Sequence, residues 1–393
     1  MITREQIREL AEFECEKDSQ CALSFYFQPQ TPHSKAHREE SILAKDLVRN
    51  AQREAEKEGK KNGTRADLER ILDLAGSLHG NQTRAKAVFA CSAHNFWREF
   101  DLPPRLSGTQ LFVNRRFRLK PLAALLGDER LLWIALVDRH RARFLELRLE
   151  ELIEHESLFH SKPRRGRGDG FGGYDAGHAE RSVHDEVMHH FKNVCEHLKQ
   201  IVEKGSLEAL IVVGCQESNW HEFETYLRPY VKERLLGHFP ADVGTISEDE
   251  IRRHAERILE EFRGRRRREL VQEAISQAKG HRNGVTGLRR VLRSLEMGEV
   301  QTLLLGENYS AHAVECTACG HLDSHIVRYC PVCGRGTRKL EDVCDALIPA
   351  AIRRDVELIY VKDEPELDMA GNIAALLRFR ADRKKNGQIS AAS

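Results

Sequence analysis

Cys316-Thr317-Ala318-Cys319-Gly320 and Cys330-Pro331-Val332-Cys333-Gly334 are two matched knuckles, separated by ten residues. In each, a tight turn aims two thiolates at one point, and the following glycine lets the backbone curl so that amides donate to sulfur. Four thiolates at tetrahedral corners suit Zn²⁺, one ion per chain, and leave no open position for a substrate. The expected site is therefore structural, holding together an insertion over 314–336 that has too few apolar residues for a core of its own. An iron–sulfur cluster would use the same ligands, but paired knuckles favour zinc. His312, His321 and His325 flank the cysteines and are expected to stay outside the ligand shell.

A second chemical signal runs from Lys162 to Phe191. Gly166, Gly168, Gly170, Gly172, Gly173 and Gly177 cannot build a core and lose much entropy on ordering. Lys162, Arg164, Arg165 and Arg167 place cations among them, and a polar helix follows from about His178. A cationic, glycine-dense loop over 162–177 suits a phosphate-rich partner. A P-loop and a dinucleotide fingerprint are absent, because these glycines do not follow a strand into a phosphate-binding turn. His184, His189 and His190 share a helix with Asp185 and Glu186 but form no compact ligand pattern, so a solvated face is expected.

Charged residues make up 31% of the chain yet nearly cancel at +1, so any RNA contact must come from local patches. The first residues carry no apolar signal region and no run approaches membrane-spanning length, which points to the cytoplasm. Cys15, Cys21, Cys91, Cys195, Cys215 and Cys344 are scattered through apolar or helical contexts and are expected as buried reduced thiols.

These features need a scaffold, and the chain reads as mixed α/β. In a first domain, 1–128, strands are expected at 24–27, 87–91 and 110–113, with helices over 34–58, over 66–74 and from Pro121. A middle domain, 129–262, opens with the strand Leu132 to Val137, a turn at 138–141 and a hairpin partner over 142–149. The glycine loop, a long helix, the buried strand Leu210 to Val213 and a helix over 222–235, broken at Pro229, follow. A charged helical connector holds Arg263 and Arg265 to Arg268; it spans 248–282, with its part beyond the middle domain at 263–283. The last domain, 284–393, alternates helix 288–297, strand 302–305, the cysteine insertion, helix 340–353, strand 356–361 and an apolar element at 373–377. It reads as a small α/β/α sandwich.

The order of these pieces resembles the archaeo-eukaryotic class-1 peptide release factors and their vacant-ribosome-binding relative Pelota, most closely the family's bacterial branch. The stretches that carry the resemblance are Thr109 to Leu126, Leu132 to Leu145, Ser294 to Leu305, and Ala370-Gly-Asn-Ile-Ala-Ala-Leu-Leu-Arg-Phe379. It implies a three-domain, tRNA-like architecture whose last domain is similar to kink-turn-binding ribosomal proteins and carries the zinc knuckle. The family's catalytic mark is a Gly-Gly-Gln loop that assists hydrolysis of peptidyl-tRNA. The matching position here is Gly172-Gly173-Tyr174, with Arg181 on the helix beyond. The bulk of Tyr174 is at odds with the water geometry that glutamine provides, so this loop is degenerate and no catalytic residue is expected. The stop-codon-reading stretch is also missing around His33 to Arg49.

The resemblance thus implies a non-catalytic ribosome-binding factor that occupies the A site, as in hibernation or recognition of a stalled ribosome. A translational GTPase of the elongation-factor-Tu type is the implied delivery partner. RNA contacts are expected from Lys162, Arg164, Arg165, Arg167, Tyr174 and Arg181, and in the first domain from Lys35, Arg38 and Lys45, with His37 and Arg49 beside them. Two alternatives stay open: a peptidyl-tRNA hydrolase acting in termination or rescue, and an RNA-binding adaptor that never meets the ribosome.

Overall fold

The computed structural model describes residues 2–16, 20–28, 37–57, 64–77, 85–102, 108–126, 131–148, 151–159, 175–204 and 209–381. The chain divides into two compact units. One comprises Met1–Asp128 with Arg267–Ser393, the other Glu129–Arg266.

In the first segment, α1 (Arg4–Glu12) precedes β1 (Ala22–Phe27), α2 (His37–Lys57), α3 (Arg65–Ser77), β2 (Ala85–Cys91), β3 (Phe96–Leu102), β4 (Gln110–Asn114) and α4 (Lys120–Leu126). The sheet is antiparallel, in the order β3-β2-β1-β4. β1 is buried along its whole length, and its two-residue period feeds two cores. Leu23, Phe25 and Phe27 pack with Ala44 and Val48 of α2 and Leu68 and Ile71 of α3. Ala22 and Tyr26 face a second core that the last segment also supplies, through Leu347 and Ile348 among others.

The other unit begins with β5 (Leu132–Val137), β6 (Arg141–Arg148) and β7 (Glu151–Phe159). After these come α5 (Asp175–Lys204), β8 (Leu210–Cys215), α6 (Glu217–Glu224), α7 (Pro229–Lys232), β9 (Leu235–Phe239) and α8 (Glu248–Lys279). The order β7-β6-β5-β8-β9 is antiparallel on one side of β5 and parallel on the other, a mixed sheet. Ala135, Val137, Ile211 and Val213 pack under Phe191, Val194 and Leu198 of α5. The opposite face, with Leu132, Ile134 and Val212, meets Ile251, Ala255 and Leu259 from the start of α8. The expected 222–235 helix is corrected: α6 ends at Glu224, Pro229 starts the short α7, and 235–239 is strand. Proline fits that helix start because its missing N–H would be unsatisfied there in any case.

The last segment contains β10 (Gly284–Thr286), α9 (Leu288–Glu296), β11 (Val300–Gly306), β12 (Ala313–Cys316), β13 (Leu322–Asp323), β14 (Thr337–Leu340), α10 (Cys344–Arg353), β15 (Glu357–Val361), α11 (Pro365–Met369) and β16 (Ile373–Leu377). Its main sheet runs β10-β16-β11-β15, with α9 and α10 on one face. The end of α8 (Val271, Ala274) and Leu367 of α11 cover the other. This is the expected α/β/α sandwich. A separate three-stranded sheet, β13-β12-β14, stands between β11 and α10 and carries the knuckles. Among the described residues no helix is long and apolar enough to cross a membrane.

Candidate functional site

The sulfurs of Cys316, Cys319, Cys330 and Cys333 all lie within 4.8 Å of one another. Cys316 Sγ is 3.4 Å from Cys333 Sγ, and Cys319 Sγ is 3.6 Å from Cys330 Sγ. A tetrahedral ion with bonds of about 2.3 Å to sulfur needs edges of about 3.8 Å, so the set fits such an ion with little adjustment. Local backbone builds each knuckle. Gly320 (φ +72°) and Gly334 (φ +71°) sit in the left-handed region, where a side chain would be strained. Their amides donate to the carbonyls of Cys316 (3.2 Å) and Cys330 (2.9 Å), closing the two turns. The amides of Cys319 and Ala318 donate to Cys316 Sγ, each at 3.4 Å, and draw that thiol down to about 6. The amide of Val332 donates to Cys330 Sγ at 3.4 Å.

The three flanking histidines pair with carboxylates. His321 lies 2.9 Å from Glu296, His325 is 3.2 Å from Asp323, and His312 is 3.6 Å from Glu341.

A buried ion-pair network ties this insertion to the first segment. Glu315, one residue before the first ligand, is 3% exposed. It lies directly across the sheet from Arg338, whose guanidinium reaches it at 2.5 Å. Arg116, from the loop after β4, reaches the other oxygen at 2.6 Å. Glu14 adds contacts to Arg115 (2.7 Å) and Arg116 (2.9 Å). Arg118 binds Asp342 (3.0 Å) and Asp345 (2.9 Å) at the start of α10. Sequence reasoning missed this network; its one local signal is a lone glutamate inside the apolar strand Ala313–Cys316.

Lys162, Arg164, Arg165, Arg167, Gly172, Gly173, Tyr174 and Lys35 lie outside the described residues. Arg181 falls on the backbone of α5 and His37 and Arg38 on that of α2, with their side chains outside the description. Lys45 is half-buried on α2, and Arg49 is exposed, 3.9 Å from Asp46. The helix α5 starts at Asp175, so its first turn takes the last residues of the expected loop.

One cysteine expectation is corrected. Cys15 and Cys21 form a disulfide, their Cα atoms 5.9 Å apart. The Cys91 sulfur lies within 4.8 Å of both. The other scattered cysteines are buried and free, as expected. Burial pushes the Cys195, Cys215 and Cys344 thiols up to about 12, which makes them inert at neutral pH. Nor do the remaining groupings form sites. Asp138 accepts the amides of His140 and Arg141 as a turn residue, and His190 is fully buried rather than solvated like its exposed neighbours His184 and His189.

Residues 118–260 match the family described as bacterial archaeo-eukaryotic release factor family 10. Over that span the chain is similar to this release-factor family. Peptide chain release factor subunit 1 of Thermococcus onnurineus is 26% identical over 311 residues, 71% of this chain and 74% of that one. The protein of the same description from Pyrococcus abyssi is 27% identical over 310 residues, again 71% and 74%. The crystal structure of Archaeoglobus fulgidus Pelota is 12% identical and covers 96% of this chain and 93% of its own, with a TM-score of 0.37.

Proposed function

We propose that this release-factor relative is a cytoplasmic, non-catalytic ribosome-binding factor that occupies the A site, as in hibernation or recognition of a stalled ribosome. The observation that carries this reading is the match over 118–260, inside which the loop expected to reach the peptidyl-transferase centre reads Gly172-Gly173-Tyr174 rather than Gly-Gly-Gln. The cations Lys162, Arg164, Arg165 and Arg167 would neutralise ribosomal RNA phosphates, with Tyr174 and Arg181 beside them. Lys35, Arg38 and Lys45 would approach the small subunit. A translational GTPase of the elongation-factor-Tu type would deliver the protein. The four cysteines would hold one Zn²⁺ as a structural ion: their sulfur spacing and amide donors support that choice.

Sedimentation through a sucrose gradient with vacant ribosomes tests the reading. The protein should migrate with ribosomes at low salt and dissociate as salt rises. Migration with the free protein at low salt overturns it. Ribosome binding accompanied by release of formyl-methionine from loaded ribosomes, slowed by Gly173→Ala, would select the peptidyl-tRNA hydrolase instead.

A further inference from the structure

A second group of sulfurs is gathered in one core, away from the insertion. Cys15, Cys21 and Cys91 are 2%, 5% and 0% exposed, and their sulfurs all lie within 4.8 Å of one another. The Cys15–Cys21 disulfide uses two of them and leaves the Cys91 thiol beside it. A buried thiol without a role packs as a small apolar side chain. Cys91 is held differently. Burial raises its pKa, and the amides of His94 and Ala93 donate to its sulfur and oppose that rise. Such donors stabilise a thiolate far more than a thiol.

The stretch from Cys91 to Asn95 repeats the first knuckle. There, the amides two and three residues beyond Cys316 donate to its sulfur. The residue three beyond it is an exposed ligand, Cys319, and the residue four beyond it is the left-handed Gly320. Beyond Cys91, the donating amides are again those two and three residues on. The residue three on is the exposed His94, and the residue four on is Asn95, left-handed at φ +50°. Asparagine is one of the few residues besides glycine that take this backbone readily. Asp67 of α3, itself buried, pins the turn by accepting the Ser92 amide and hydroxyl. On the other side of the cluster, the amide of Cys21 donates to the Cys15 sulfur at 3.2 Å. The His94 ring packs edge-on against Phe13, two residues before Cys15, with ring centroids 5.4 Å apart. Three cysteines and a histidine are a recurrent ligand set of closed zinc sites.

We propose that Cys15, Cys21, Cys91 and His94 form a second metal site, which takes a divalent thiophilic ion once the disulfide is reduced. A dithiol reductant delivers two electrons and two protons to the sulfur–sulfur bond, giving two thiols, and closes to its own disulfide. The ion displaces the three thiol protons and takes the neutral imidazole, whose ring turns from Phe13 to reach it. One negative charge remains, and the three amides face it. Oxidation and metal occupancy therefore exclude each other. The proposal is independent of the ribosomal reading.

The full chain is reduced anaerobically with a dithiol, freed of it by gel filtration and titrated with Zn²⁺, and bound zinc is counted by elemental analysis. Reduction should add one ion per chain to whatever the knuckles hold. Cys316→Ser, with its knuckle site empty, should gain that ion too. Cys91→Ser should gain none, and His94→Ala should bind it at least about tenfold more weakly. Unfolding midpoints identify a variant that fails to fold, and wild type then carries the test. In reduced wild type, excess Zn²⁺ should slow re-formation of the Cys15–Cys21 bond by added diamide at least about tenfold, because metal-bound thiolates are not free to attack. A reduced wild type that gains no zinc overturns the proposal. So does an added ion that survives in folded Cys91→Ser or binds equally well to His94→Ala, and so does a reoxidation rate indifferent to zinc.

Discussion

Cys316→Ser is expected to empty the proposed metal site. A structural zinc ion in small zinc domains contributes an apparent binding free energy of about 10–16 kcal/mol at neutral pH, so the loss of one thiolate should take metal content from near one ion per chain to near zero. The damage should be local. The residues that pack the two larger sheets of this unit come chiefly from β1, β2, β11, β15, β16 and the helices, while β12, β13 and β14 stand apart as a separate sheet. Without the ion, Ile326, Tyr329 and Val332 have no core to hold them, since all three are already exposed. Arg328 and Arg335 should become fast trypsin sites, and metal analysis with limited proteolysis reads both effects. Full metal retention in the serine variant would contradict the assignment.

Glu315→Gln should give the second large effect. Removing one partner of a buried pair leaves the other charge uncompensated, at a cost of about 3–5 kcal/mol. Here two guanidiniums, Arg116 and Arg338, would lose the negative charge they share, keeping only Glu14 (2.9 Å and 3.6 Å), and the Arg116 side chain is only 12% exposed. Denaturant unfolding of the metal-loaded protein measures the loss. The pH dependence has a definite sign. Burial raises the Glu315 carboxyl, but Arg116 and Arg338 outweigh it and hold it below the ordinary glutamate range. Its contribution is therefore present above the unfolded-state pKa of about 4.3 and is lost as pH falls through the lower folded-state value. Wild type should lose stability along that acid limb, whereas the glutamine variant, which has nothing to protonate, should show a flatter one. Equal midpoints at neutral pH would show that the pair contributes nothing net.

The elements legible in the sequence were those with strong local signals. The β5–β6 hairpin announced itself through the apolar run Leu132 to Val137 and a turn whose Asp138 accepts two amides. The knuckles were legible because spacing and glycine alone define them. What escaped depends on distant partners. β7 reads Glu-Leu-Ile-Glu-His-Glu-Ser-Leu-Phe and is largely exposed at a sheet edge, so it lacks the buried alternation that marks a strand. β3 is likewise an edge strand, and β9, only half-buried over most of its length, lies at the other edge of its sheet. The Cys15–Cys21 bond depends on a backbone approach that composition does not encode. The Glu315–Arg116–Arg338 network requires both a cross-strand register and the packing of residues 199 positions apart. Of the nucleic-acid side, the cationic loop was legible as chemistry in the sequence.

A density map of the protein mixed with vacant ribosomes tests the functional reading most directly. Density for this chain in the A site, with the stretch from Lys162 to Tyr174 lying along large-subunit RNA and no tRNA beside it, is the predicted result. Ribosomes whose A sites are empty at saturating protein, or density that places the chain away from both subunits' tRNA path, would contradict it.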